Sequence, residues 1–405
     1  MSRRSFLGAT AAGATAMSLA AHSAVPQDGY GPIPLESSLD WQQLHTPALL
    51  LDADAMERNL TRMKDFISAS GLGIQLRPHT KTHKCPLIAR RQIELGAIGI
   101  CYAKVSEPEV MLDAGIDNIL ITSPVVTGEK IDRVIALARR SPGIQMVVDN
   151  ADVAKSFNDA AKAVGIALPV LADLNTGTQR TGVRLGKEAV KFAMVISEQE
   201  NLRFDGIQAY SGHLMHVHGH NTRGVMTKAA LEKVIDTKDQ IEAAGIPVQT
   251  VTGGGTGTFD IDGTQAGYTD VQVGSYLFMD TQYRAIGDAD SDIFDFFEPA
   301  LFVVLTAISE PVPEKLITMD GGYKSFASDA VPEFVDLPGA VYTFGGDEHG
   351  IIRLSEVKRR VKLGEKFKLI VSHCDPTVNL YDEYYVAKNG RVVEKWPIAA
   401  RGKSQ

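Results

Sequence analysis

Three cysteines in 405 residues, at positions 85, 101 and 374, are too few for a disulfide framework, and no pair has zinc-finger spacing. Positive charge is in deficit. The 41 Lys and Arg against 49 Asp and Glu give a formal charge of −8, which argues against a general nucleic-acid-binding surface. No apolar run reaches the roughly 20 strongly apolar residues that a membrane span needs. Internal repeats, low-complexity tracts and long Pro/Ser linkers are missing, as are a Walker A loop and a dinucleotide-binding fingerprint. What remains is ordinary globular composition, enough for two or three domains, or for one large barrel and a second domain.

Residues 2–7 read Ser-Arg-Arg-Ser-Phe-Leu, followed by an Ala/Gly-rich stretch to about Ala21. A charged start, a modest apolar region and a small-residue exit have the form of an export signal, and the paired Arg3 and Arg4 are of the twin-arginine type. This predicts a signal over residues 1–24, cut between Ala20 and Ala24. The mature protein would then be periplasmic, with no membrane partner after cleavage. A disordered tail on a cytoplasmic protein is the alternative.

From residue 70 the chain alternates short β-rich runs with helix-period segments. The runs are Gly73–Arg77, Gly99–Ala103, Asn118–Thr122, Gln145–Val148, Leu168–Leu174, Gly206–Tyr210, Val248–Thr252 and Val271–Ser275. Eight such units predict a (β/α)8 TIM-type barrel over residues 53–295, with a doubly wound open sheet as the alternative. Beyond Phe296 strand patterns dominate, which predicts a β-domain over residues 297–401. The early strand at residues 47–52 is expected to complete it.

In a parallel barrel the chemistry collects at the C-terminal strand ends. The first run ends in Arg77-Pro-His-Thr-Lys81-Thr-His-Lys84. A Lys held there among other cations would have a lowered pKa, as imine-forming lysines require. The sixth run ends in Tyr210-Ser-Gly-His213-Leu-Met-His216-Val-His218-Gly-His220, and the seventh in Thr252-Gly-Gly-Gly-Thr256-Gly-Thr. Glycines there let backbone N–H groups approach a phosphate. In the β-domain, Ser372-His373-Cys374-Asp375-Pro376-Thr377 places His373 and Asp375 at i and i+2. In an extended segment they share one side and could hold one divalent ion, with Cys374 turned away. Asp347-Glu348-His349 is a second acidic and His group.

Together these motifs resemble the fold-type III pyridoxal-phosphate (PLP) enzymes of the D-threonine aldolase and D-serine dehydratase family, over nearly all the chain after residue 40. The resemblance implies an alanine racemase-like barrel followed by a C-terminal β-domain, a homodimer, and PLP bound as a Schiff base to Lys81. It implies that Gly254, Gly255 and Thr256 hold the cofactor phosphate with Tyr276 nearby. Tyr210 and Arg180 would lie beside the cofactor. His373 and Asp375 would bind a divalent metal (Mn2+, or Mg2+, Co2+ or Zn2+). His216 matches the base acting on the substrate hydroxyl, but His213 stands where the pattern departs and competes for the role. The implied reaction is retro-aldol cleavage of a D-β-hydroxy amino acid, D-threonine-like, to glycine and an aldehyde. The dehydratase members, acting on D-serine or D-3-hydroxyaspartate, tend to have Cys where Asp375 stands, so Asp375 favours the aldolase. An amino-acid racemase is the third reading, needing a second base such as Tyr323 or Tyr342. A small PLP carrier of the same barrel would lack the β-domain.

Overall fold

The computed structural model describes residues 29–405; the export signal expected over residues 1–24 lies outside them. Eight parallel strands form the barrel, in chain order Gln75–Leu76, Ile100–Tyr102, Ile119–Ile121, Gln145–Val148, Leu168–Asn175, Leu202–Ala209, Thr250–Gly253 and Asp270–Val271. From the second to the eighth, each pairs with the next in sequence, and the eighth pairs with the first. The ring closes between the first and second strands, where the amides of Ile98 and Cys101 donate to the carbonyls of Leu76 and Pro78 at 2.9 and 2.8 Å. The open doubly wound sheet is therefore excluded.

The strands are apolar on both faces because helices cover one side and the barrel interior the other. Cys101, Leu120, Val147 and Leu171 form an apolar cluster inside one half. The other half is polar: Thr252 Oγ1 donates to Asp270 at 2.6 Å, and Gln272 Nε2 donates to Gln208 and Thr252 at 3.2 and 3.0 Å. Around the outside, Ala53–Ala69 starts at Asp52, which caps it by accepting from Ala55 N at 2.9 Å. The helix after the sixth strand is His220–Ala243, which begins directly after the histidine-rich segment.

The β-domain is built from both ends of the described chain. Its long strand, Leu301–Val312, pairs first with Ala48–Asp52 and then with Leu316–Met319 along one edge, and with Lys366–Ile370 along the other. Ala48–Asp52 in turn pairs with Glu383–Lys388, so the early strand belongs to this sheet and not to the barrel. Ile33–Leu39, which the sequence pattern does not announce, runs antiparallel to Arg391–Pro397. The short helix Cys374–Val378 follows Lys366–Ile370 and packs against the turn after the first barrel strand. Tyr384 locks the domains together by donating to the carbonyl of His83 at 2.7 Å. Among the described residues, no helix is long and apolar enough to cross a membrane.

Candidate active site

A cavity of about 460 Å³ opens at the C-terminal ends of the barrel strands. Lys81, Arg180, Tyr210, Gly255, Thr256 and Ser275 reach it from the loops after the first, fifth, sixth, seventh and eighth strands, with His79 and Tyr283 beside them.

The basic segment after the first strand divides its work. Thr80–Thr82 is a single 3-10 turn, anchored by the Thr80 hydroxyl donating to the Cys101 carbonyl at 2.8 Å. His83 is buried, shares a hydrogen bond with Gln92 at 3.2 Å, and is pushed down to about 3, chiefly by burial. Lys84 forms a buried ion pair with Glu107. That leaves Lys81, 43% exposed, facing the cavity. His79 lines it too, with one ring nitrogen 3.0 Å from the Thr122 hydroxyl and Nδ1 buried without a partner.

Lys81 Nζ donates to Asp375 Oδ1. The other carboxylate oxygen accepts from Thr82 Oγ1 at 3.1 Å and lies 3.5 Å from Ser275 Oγ. Loss of water opposes the Lys81 charge, but the Asp375 carboxylate outweighs it and raises the amine above its ordinary value. This corrects the expectation of a Lys lowered by neighbouring cations, because the nearest charge is an acid from the other domain. Burial pushes Asp375 upward, but Lys81 and then His373 more than reverse this and hold it well below the usual carboxylate range.

His373 and Asp375 do meet, with Nε2 and Oδ2 4.0 Å apart, but not as alternate residues of a strand. His373 is the extended residue that precedes the helix Cys374–Val378, and Asp375 sits in its first turn. Cys374 is buried between them, with Sγ toward the Met279 carbonyl at 3.6 Å. His373 Nδ1 lies 2.6 Å from Asp329, which aims Nε2 toward Asp375. Such a carboxylate–histidine arrangement is what orients imidazoles that bind metals.

The two competing histidines separate clearly. His213 packs against the loop after the fifth strand: Thr178 Oγ1 is 3.4 Å from its Nδ1, and a Cβ on Gly177 would lie 3.1 Å from the ring. His216 packs against Tyr283 with ring centroids 4.6 Å apart and planes tilted by 38°. Burial and then the His373 charge lower its pKa, so the imidazole is neutral near pH 7.

Arg180 lies 5.5 Å over the Tyr210 ring. Gly254 takes a left-handed φ of +66°, with the Asp262 carboxylate where a Cβ would stand. Thr256 Oγ1 accepts from the amides of Ser275 and Tyr276 at 2.7 and 3.1 Å, which ties the seventh and eighth strand ends together. Tyr276 touches this loop through its backbone only. Its ring is buried against Phe297 and its hydroxyl accepts from Gln92 at 3.2 Å, so it does not face the cavity. Tyr342 is buried on the Gly321 carbonyl and Tyr323 stacks on Phe344; neither lines the cavity. Asp347–His349 is an exposed hairpin turn where Glu348 pairs with Lys324. Asp329 and Tyr283 were not foreseen. Asp329 sits in an irregular segment with no motif, and Tyr283 follows the eighth strand by a spacing that sequence alone does not fix.

The donor set fits a phosphorylated aromatic aldehyde. A primary amine stands on one side of the cavity, a guanidinium and a tyrosine ring lie beside it, and a glycine-rich loop with Thr256 and Ser275 hydroxyls faces it. Gly255 forms part of that cradle: a Cβ there would come 2.6 Å from Met215 Sδ and 3.5 Å from the Tyr210 ring.

A family profile described as "Alanine racemase, N-terminal domain" matches residues 51–282, and one described as "Putative serine dehydratase domain" matches residues 300–387. The chain is 36% identical to D-threonine aldolase of Arthrobacter sp. over 92% of its length and 97% of that protein. It is 34% identical to 3-hydroxy-D-aspartate aldolase of Paracoccus denitrificans, covering 92% and 96% of the two chains. The crystal structure of D-threonine aldolase from Filomicrobium marinum superposes with a TM-score of 0.87 at 37% identity, covering 92% of this chain and 100% of that one. PLP is the cofactor expected of this fold.

Proposed function

The chain belongs to the D-threonine aldolase and D-serine dehydratase family of alanine racemase-like PLP enzymes, and from that membership we propose that it cleaves D-β-hydroxy amino acids of the D-threonine type to glycine and an aldehyde. It is a carbon–carbon lyase on this reading, in line with its aldolase relatives. The observation that carries the reading is a neutral imidazole, His216, packed on the cavity-lining Tyr283 and within electrostatic reach of His373 and Asp375, the latter bonded to Lys81.

Lys81 is the residue to hold PLP covalently, with Gly255, Thr256 and Ser275 around its phosphate and Arg180 and Tyr210 beside its ring. The cofactor supplies an electron sink for the carbanion left by bond cleavage. His373 and Asp375 are the residues to hold a divalent ion, Mn2+ by preference, whose contribution is to acidify a bound hydroxyl. Asp329 keeps the His373 ring oriented. His216, uncharged at Nδ1 or Nε2, takes the proton of the substrate β-hydroxyl, and Tyr283 packs against its ring and fixes its plane. The Lys81 amine, when free, would be the group to return a proton to the product carbon. A carboxylate at position 375 makes a harder donor than a thiolate, which favours the aldolase over the dehydratase.

Product analysis tests this. Full-length protein with PLP and Mn2+ is expected to convert D-threonine to glycine and acetaldehyde. Formation of 2-oxobutanoate and ammonia would make it a dehydratase, and recovery of L-epimer alone a racemase. The same reading includes a homodimer and twin-arginine export to the periplasm. The export reading rests on Arg3 and Arg4. N-terminal sequencing of the cellular enzyme checks export: a start near Ala21–Val25 supports it, and an intact Met1 on active enzyme overturns it.

A further inference from the structure

We propose that His220, Asp260 and Asp288 form a second divalent-cation site, distinct from the His373–Asp375 pair, that fastens the loop carrying His216. One imidazole nitrogen and two carboxylate oxygens lie within 4.8 Å of one another, all partly buried. They come from three separate segments. His220 opens the helix His220–Ala243, Asp260 sits in the short helix Phe259–Asp262 after the glycine-rich loop, and Asp288 lies in the loop beyond Tyr283.

Two carboxylates face one permanent cation here, the Arg223 guanidinium, which is attracted to both. Among the described residues, the only ion pair made by either Asp is the 2.6 Å contact between His220 Nε2 and Asp260 Oδ2. Arg223, buried next to them, bonds the carbonyls of Val217, Ile286 and Gly287 through its two terminal nitrogens, while its Nε is buried without a partner. Asp260 Oδ1 is buried and has no partner. Asp288 accepts from Ala289 N at 2.7 Å through Oδ1, which leaves Oδ2 for a ligand. One histidine with two carboxylates is a donor set for Zn2+ or Mn2+. Ligands in adjacent positions around such an ion stand about 3 Å apart, given bond lengths of about 2.0–2.2 Å. A rotation of the loop residue Asp288 closes the set. The ion then replaces the proton that His220 and Asp260 share.

The location gives the site its consequence. His220 follows His216 by four residues, Gly219 N donates to the Ile286 carbonyl at 2.9 Å, and Arg223 bonds both sides of the same seam. A cation here cross-links the His216 loop, the segment after the glycine-rich loop and the segment after Tyr283. This inference stands on three side chains and is independent of the reaction proposed above.

The test is a titration of Zn2+, and separately Mn2+, into metal-free full-length His373→Ala protein, in which the active-site pair is broken. One equivalent per chain should bind, and the melting temperature should rise by about 2–4 °C. Adding Asp288→Asn or, separately, His220→Gln should weaken binding by about 100-fold, the upper end of what even a supporting residue costs, and erase the melting shift. Each double variant is first melted without metal, against His373→Ala, to show that the fold is intact. Absence of binding by His373→Ala protein at about 1 mM ion, or binding undiminished in both double variants, overturns the proposal.

Discussion

Asp280 accepts the backbone N–H of Cys374 at 3.0 Å, so a carboxylate at the end of the barrel holds the helix that presents Asp375. Its other oxygen accepts from Tyr283 N at 2.9 Å, and Asp280 itself is fully buried. One side chain thus sets the spacing between the proposed metal ligands and the ring that backs His216. Asp280→Asn keeps the shape but offers one acceptor where two donors converge. Leaving a buried donor unpaired costs about 1–3 kcal/mol. The expected result is a folded, less stable protein whose Mn2+ affinity at His373–Asp375 falls about tenfold, as loss of a supporting residue does. A titration that gives unchanged affinity would show that Asp280 only closes the helix end.

The ion pair between Lys81 and Asp375 makes a prediction about pH. The amine attacks a carbonyl only when deprotonated, and Asp375 raises its pKa. Asp375→Asn removes that carboxylate, so the Lys81 pKa must fall and the deprotonated amine must persist to lower pH. Covalent PLP uptake by metal-free protein, trapped with borohydride across a pH series, should have its midpoint at lower pH in the variant than in the parent. A midpoint that stays put or moves upward contradicts the pairing.

The sequence revealed much of this site because strand ends in a parallel barrel carry short, local motifs. Lys81, Arg180, Tyr210, Gly255 and Thr256 each lie a few residues past a strand, and the strand pattern is strong where Leu168–Leu174 and Gln145–Val148 run apolar on both faces. What was hidden depends on contacts between distant segments. Asp375 reaches Lys81 across 294 residues, and that contact reverses the sign expected for the lysine. Tyr276 shares the loop's neighbourhood, yet its ring turns into the core, a choice made by Phe297 and Gln92 and not by its own motif. Ile33–Leu39 was missed because a half-exposed edge strand rich in polar residues has little periodic signal.

The two histidines of the sixth loop should separate in kinetics. His216 is neutral, packed against Tyr283 and close enough to His373 to feel its charge, while His213 sits on Thr178 in the loop after the fifth strand. Replacing His216 by Ala is expected to lower kcat by about 10²–10⁴-fold, the usual loss for a general base. His213→Ala should cost under about tenfold, since it makes only one loop contact. The lowered His216 pKa adds a sign: kcat/KM should hold below the ordinary histidine value of about 6.5 as pH falls, before protonation removes the base. Equal losses in the two variants would return the assignment to a choice between them.

Two glycines near the site should respond in opposite directions. Gly257 lies under the loop that carries His216, and a Cβ there would meet the Met215 carbonyl oxygen at 2.0 Å and its carbon at 2.8 Å. Backbone cannot yield as a side-chain tip does, so Gly257→Ala must displace either the glycine-rich loop or Met215, and with it the neighbouring His216. The strain of such overpacking is about 1–3 kcal/mol, visible as a lower melting temperature, and kcat should fall with it. Gly224 sits inside the helix His220–Ala243, where the nearest atom to a new Cβ is Ile261 Cδ1 at 3.9 Å, an ordinary contact. Gly224→Ala should therefore stabilise the protein by about 0.4–1 kcal/mol through reduced freedom of the unfolded chain. Parallel thermal melts of the two variants check both signs. A Gly257→Ala protein that melts with the parent and keeps its kcat would mean that the two loops do not bear on each other.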